Sequence, residues 1–169
     1  MVNWVVHKFG GTSVADAGRY QSVAEILLAR RGRGERAAVV VSAMSGVTDA
    51  LLGLVAGAAA RDAGYAEGLR ALRERHLGTA AALGLDAARG RSLAETIGAD
   101  FRELEEVLRG VWIARLQSEH IAEFVSGHGE LWSARFLNAL LEQRGCPSGW
   151  LDAREVLVVE SDARGVAVD

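Results

Sequence analysis

Between Val5 and Ser13 the chain runs Val-Val-His-Lys-Phe-Gly-Gly-Thr-Ser, and this segment constrains the fold more than any other. A short apolar strand pattern breaks into a lysine, two glycines and two hydroxyls, and a helical pattern follows. A strand used in that order ends at the carboxyl edge of a sheet, where open α/β sheets bind their ligands. Gly10 and Gly11 carry no Cβ, so an anion can come close to the main-chain N–H groups. Those groups and the N-terminus of the next helix favour negative charge, and Lys8 adds a mobile cation. The segment is neither G-x-x-x-x-G-K-[ST] nor G-x-G-x-x-G. On its own it fits a phosphate loop and a plain strand-to-helix turn equally well.

The rest of the chain continues the α/β pattern. Asp16 is placed to cap a helix over Ala17–Arg31, with Tyr20, Val23, Ile26 and Leu27 inward and Gly32 and Gly34 at its end. Ala37 to Ser42 is a second strand, apolar throughout, as expected for burial on both faces of a parallel sheet. Strand, helix, strand makes one right-handed βαβ unit. A loop from Ala43 to Asp49 leads into a helix carrying Leu51, Leu52 and Val55.

From Tyr65 to Gln117 the pattern is almost wholly helical, with Gly84 and Gly90 expected at turns. One stripe holds Leu69, Leu72, His76 and Leu77; another holds Leu93, Ile97, Phe101, Leu104 and Leu108. Both read as packing seams, and His76 as a packing histidine. A helix over Ser118–Val125 precedes Ser126-Gly-His-Gly-Glu130, expected as a loop ahead of a helix with Leu131, Phe136, Leu137, Leu140 and Leu141. Gly145 and Pro147 close that helix. Trp150–Asp152 and Val156–Val159 are expected as short strands separated by Ala153–Glu155. No linker divides the chain.

Composition excludes several classes of function. The chain has 169 residues, 19 basic against 22 acidic, for a formal charge of −3. That balance, with no Lys/Arg-rich block, argues against a nucleic-acid partner. No uncharged apolar stretch approaches ~20 residues, so no membrane partner is expected. Cys146 is the single cysteine, which rules out an intrachain disulfide and fits a cytoplasmic location. The opening residues read as a strand rather than a signal peptide.

Three loops share a chemistry of glycine and hydroxyl ahead of a helix: Lys8–Ser13, Ser42–Asp49 and Ser126–Glu130. Parallel neighbouring strands would bring Lys8 and Ser42 to one sheet edge. Each residue also has a plain structural use. Ser42 can end a strand and Thr48 can cap a helix. A carboxylate at Glu130 is favoured in a first turn by the helix dipole. His128, between two glycines, fits a turn better than a catalytic base.

Together, Lys8-Phe-Gly-Gly-Thr-Ser-Val14, Val39-Val-Val-Ser-Ala-Met-Ser-Gly-Val-Thr48 and Ser126-Gly-His-Gly-Glu-Leu-Trp-Ser-Ala-Arg135, in this order, closely resemble the aspartate kinase family of the amino-acid kinase superfamily. The similarity runs from Val5 to about Val159, and Trp150-Leu-Asp-Ala-Arg154 also looks like a segment of that family. The resemblance implies a three-layer αβα fold with a mostly parallel sheet, here in a helix-rich N-terminal portion. It implies transfer of the γ-phosphoryl of ATP, with Mg²⁺, to the β-carboxylate of L-aspartate. The product would be 4-phospho-L-aspartate, on the way to lysine, threonine and methionine. By position, Lys8 matches the catalytic lysine, and Lys8, Phe9, Gly10, Gly11 and Ser42 match the nucleotide side. Thr48 and Glu130 match the residues that hold aspartate, Glu130 through its α-ammonium; none of these is a metal ligand.

The family's kinase domain is longer. The resemblance therefore implies that residues 1–169 are the N-terminal portion of a catalytic domain, amino-acid side plus phosphate loop. The C-terminal nucleotide part and regulatory domains would be absent, the portion would be inactive alone, and the full-length protein would be a homo-oligomer. A non-catalytic amino-acid or nucleotide-binding fragment is the alternative from another class. A superfamily relative acting on glutamate, carbamate or a nucleoside monophosphate is a third reading.

Overall fold

The computed structural model describes residues 4–157, 159–162 and 165–168. Strands β1 (Trp4–Phe9) and β2 (Arg36–Val41) pair in parallel, with Lys8 opposite Val40 and Phe9 opposite Val41. Helix α1 (Ala17–Arg31) makes the crossover. Asp16 caps it by accepting the Arg19 N–H at 2.9 Å. Tyr20, Val23, Ala24 and Leu27, at i, i+3, i+4 and i+7, form its buried stripe. Ile26, expected on that stripe, flanks it instead and is 47% exposed. Gly34, with φ of 80°, takes the left-handed turn into β2.

The expectation that the second strand is buried on both faces is corrected, and β1 is open on the same side. Phe9, Val39 and Val41 pack against the core. The alternating residues on the other face stay open, with Trp4 61%, Val6 71% and Val40 52% exposed. Side chains alternate across a strand, and among the described residues the helices cover only one face of this two-stranded sheet.

Three helices follow: α2 (Val47–Ala59), α3 (Gly64–Ala82) and α4 (Ala87–Ala114). The expected seams are found, with Leu69, Leu72 and His76 buried on α3 and Leu93, Ile97, Phe101, Leu104 and Leu108 on α4. Asp86 caps α4, accepting the Ala88 and Arg89 N–H groups at 3.0 Å each. Gly84 sits at the turn with φ of 70°. Gly90, expected at a turn as well, lies inside the first turn of α4, because the Asp86 cap starts the helix before it.

Helix α5 (Glu119–Ser126) is capped by Ser118 and runs almost directly into α6 (His128–Gln143). Gly127 keeps helical angles, φ −61° and ψ −16°, so the expected loop over Ser126–Glu130 is a helix junction. Beyond α6, Trp150–Asp152 is not a strand, and Ala153–Glu155 forms a 3₁₀ turn capped by Asp152. The Asp152 side chain prefers its local bonds to Arg154, and hydrogen bonding from that guanidinium holds its carboxyl below the usual range. Val156 and Leu157 also lie outside any strand. Strand β3 (Val159–Asp162) begins at the last residue of the expected strand and pairs antiparallel with β4 (Gly165–Val168), a hairpin absent from the reading of the sequence. Val158 of the expected strand is outside the described residues.

Candidate functional site

The site grows from the carboxyl ends of β1 and β2. After β1 the chain turns through a 3₁₀ turn over Gly11–Val14, with the Ser13 N–H on the Gly10 carbonyl at 2.8 Å. After β2, the Ser42 N–H extends the parallel ladder by one bond to the Phe9 carbonyl, at 3.0 Å. The parallel register pairs Lys8 with Val40, and Ser42 is two residues on, so all three belong to one face. Lys8 is exposed there. Phe9 alternates to the opposite face and packs on the core, so its side chain is unavailable to a ligand on the Lys8 face.

The two glycines do different work. A Cβ on Gly11 would lie 2.8 Å from the Ala43 carbonyl oxygen, so this position is closed by packing. A Cβ on Gly10 would meet nothing within 4 Å, and φ there is −77°. Neither strain nor packing requires glycine at residue 10; the open space beside it is what close approach of a ligand needs. Among the described residues, the N–H groups of Gly10, Gly11 and Thr12 have no protein acceptor.

The second loop is held from two sides. Its first peptide is fixed by Glu130, whose Oε1 accepts the Ala43 N–H at 3.0 Å across 87 positions of sequence. Gly129 allows that approach: a Cβ there would fall 2.6 Å from the Ala43 Cβ and 3.2 Å from Val47 Cγ1. From the other side, Arg75 Nη2 donates to the Ser45 carbonyl at 3.0 Å. Gly46, with φ 76° and ψ −1°, is the N-cap of α2, so Thr48 is the second helical residue rather than the cap. Thr48 and Glu130 are both exposed, each in the first turn of its helix.

The expected site residues thus fall into one neighbourhood. The Gly11 turn touches the Ala43 loop, the Ala43 loop is bonded to Glu130, and Lys8 and Ser42 share the adjacent strand ends. His128 is outside this set. It is buried, its Nδ1 lies 2.9 Å from the Phe124 carbonyl, and its ring meets Phe124 edge-on. It packs the helix junction. His76 is also a packing residue, set between Phe101, Trp132 and Phe136.

Behind the site, Tyr20 on α1 donates its hydroxyl to Ser133 Oγ on α6 at 2.8 Å, and burial raises its pKa above the usual phenol range. Asp100 on α4 accepts the Trp132 Nε1–H at 2.9 Å and pairs with Arg135. The Arg135 guanidinium lies over Trp150, 4.8 Å from the ring centroid. Sequence reasoning passed over Arg75 and Asp100, since each is one of many charged residues on helices and nothing local marks its partner.

The donor set suits a substrate with anionic groups and one cation. Lys8 and the open amides offer positive charge, and Glu130 offers an anion bonded to the Ala43 loop. Among the described residues no group of three or more His, Cys, Asp or Glu side chains is arranged to hold a metal ion. Mg²⁺ therefore finds no protein cage among the described residues.

The sequence model of the amino acid kinase family matches residues 3–167, so the chain belongs to that family. Within it, the relatives are aspartokinases. The chain is 45% identical over 158 residues to the maize (Zea mays) chloroplastic bifunctional aspartokinase/homoserine dehydrogenase 1, covering 92% of this chain and 17% of that protein. It is 33% identical over 159 residues to the bifunctional aspartokinase/homoserine dehydrogenase 2 of Escherichia coli K12, covering 94% and 19%. The crystal structure of E. coli aspartokinase III with aspartate and ADP superposes with a TM-score of 0.82 at 27% identity, over 99% of this chain and 35% of that one. The fold is therefore the aspartokinase form of the amino-acid kinase fold. The chain spans less than a fifth of the length of these bifunctional relatives. No helix among the described residues is long and apolar enough to cross a membrane.

Proposed function

We propose that this chain is the N-terminal portion of an aspartate kinase catalytic domain, carrying the amino-acid side and the phosphate loop, in a protein that phosphorylates the β-carboxylate of L-aspartate with ATP. The observation that carries the reading is the bond between Glu130 and the Ala43 N–H, which ties the candidate amine-binding carboxylate to the phosphate-side loops. The similar E. coli aspartokinase III is seen in complex with aspartate and ADP, which supports the same two ligand classes here.

A carboxylate is already a nucleophile at neutral pH, so the reaction needs no general base. Its difficulty is bringing two anions together, and positioning with charge stabilisation supplies most of the catalysis. Lys8 would sit against the transferring phosphoryl group, with the Gly10 and Gly11 amides and Ser42 on the nucleotide phosphates. Glu130 and Thr48 would hold the aspartate, Glu130 through the α-ammonium. Mg²⁺, bound chiefly by the nucleotide phosphates, would lower their charge. The same reading includes a cytoplasmic location and a homo-oligomeric full-length protein.

Glu130→Gln tests the assignment, because an amide oxygen still accepts the Ala43 N–H while the charge is lost. Calorimetry on the full-length gene product should show aspartate binding weakened by about tenfold or more, the scale of a charge-assisted bond. Unchanged aspartate affinity, or a parent protein with no aspartate-dependent release of ADP, refutes the reading.

A further inference from the structure

We propose that Arg75 is a positioning residue for this kinase site, acting through the loop that carries Ser42 and precedes Thr48; the inference rests on the function proposed above. Arg75 belongs to α3, outside the motifs that carry the family resemblance, and is solvent-exposed. Its Nη2 nevertheless reaches the Ser45 carbonyl at 3.0 Å, 30 residues earlier in the chain. One turn further along α3, Thr79 Oγ1 lies 3.9 Å from Met44 Sδ, so α3 meets the loop through two successive side chains. Arg75 takes part in no ion pair among the described residues, which leaves its guanidinium to this carbonyl.

The consequence follows from peptide geometry. No cis peptide occurs among the described residues, and in a planar trans peptide the C=O and the following N–H point in opposite directions. Fixing the Ser45 carbonyl toward α3 therefore turns the Gly46 N–H away from α3. That N–H, like those of Met44 and Ser45, has no protein acceptor among the described residues. Gly46 is in the left-handed region, where the adjoining peptide can flip at little cost in a residue without Cβ. Arg75 holds one of the two peptide orientations. Glu130 does the same for the Ala43 peptide from the opposite flank. With both clamps in place the loop presents its amides, and Thr48 at the start of α2, in one arrangement. Without Arg75 the Ser45–Gly46 peptide loses its anchor, and aspartate, held next to it, binds less well.

The test uses the full-length gene product with Arg75→Ala, Arg75→Lys and, as a control for charge removed from the same helix, Arg73→Ala. Arg75→Ala should raise the KM for aspartate about tenfold, the scale of a lost charge-assisted bond, with the KM for ATP changed less than about twofold. Arg75→Lys should recover part of the loss, and so should added guanidinium ion. Thermal midpoints should match the parent, and amide exchange should speed up at Ala43 and Val47, the amides of this loop that have acceptors. Arg75→Ala overturns the proposal if aspartate KM and loop exchange match the parent, if activity falls only with lost folded protein at constant KM, or if Arg73→Ala has the same effect. A parent without aspartate-dependent ADP release overturns the kinase reading itself, and the catalytic role of Arg75 with it, whatever the exchange data show.

Discussion

Gly10, Gly11 and Gly129 look alike in the sequence, yet the space around each assigns it a different cost. A methyl group on Gly129 would be forced against Ala43 and Val47, and one on Gly11 against a backbone oxygen. Such overpacking costs roughly 1–3 kcal/mol, so Gly11→Ala and Gly129→Ala should lower the urea midpoint clearly. Gly10→Ala meets open space and should leave the midpoint unchanged while weakening ATP. Equal stability of all three variants would show that the loops do not approach as described. Lys8 faces solvent on the open side of the sheet, so Lys8→Ala should also leave stability intact. Turnover of the full-length gene product should fall on the order of a hundredfold or more, with ATP binding changed much less. A loss confined to ATP affinity would move Lys8 from the transferring group to a nucleotide contact.

At the scale of elements, α3, α4 and α6 are joined through one aromatic cluster. Trp132 stacks on Phe101 at 4.5 Å, and His76 meets the same indole edge-on at 4.3 Å. Burial there lowers the His76 pKa from 6.5 to about 4, and the adjacent Arg75 charge acts in the same direction against its bond to the Leu72 carbonyl. The native state thus takes up this proton later than the unfolded chain as pH falls. The contribution of His76 is complete above about pH 6.5 and is lost progressively toward pH 4, on the order of 3 kcal/mol in all. Urea titrations at pH 7 and pH 4.5 should show that drop in the parent and a smaller one in His76→Phe; parallel curves would contradict it. Asp100 joins α4 to α6 through the Trp132 indole and Arg135. Asp100→Ala leaves a largely buried guanidinium without its partner and should cost about 3 kcal/mol, measurable by the same titration.

For the whole molecule, the open face of the sheet is the main physical fact. Parallel strands are ordinarily covered on both sides, and a two-stranded sheet has little stability of its own. Here Trp4, Val6 and Val40 stay open on the face that also bears Lys8. The chain corresponds to 35% of the aspartokinase III chain that it matches over nearly its full length. The 169-residue chain should therefore show little aspartate-dependent ADP release beside the full-length gene product in a coupled assay. Comparable turnover by the two would show that the described loops suffice for both substrates.

What the sequence determined by itself was local. Caps at Asp16, Asp86 and Ser118, the buried stripes of α3 and α4, and the glycine–hydroxyl motifs depend on residues within a few positions of one another. Several patterns misled even at that range, among them the apolar run of β2, which reads as doubly buried whether or not anything lies over it, while Val40 is half exposed. Tertiary structure alone decided which charges meet which loops. Glu130 reaches Ala43 over 87 positions, Arg75 reaches Ser45 over 30, and Asp100 reaches Trp132 and Arg135 over 32 and 35. No periodicity records those distances, because the packing of whole helices sets them and a hydrogen bond forms only once that packing has brought its two ends together.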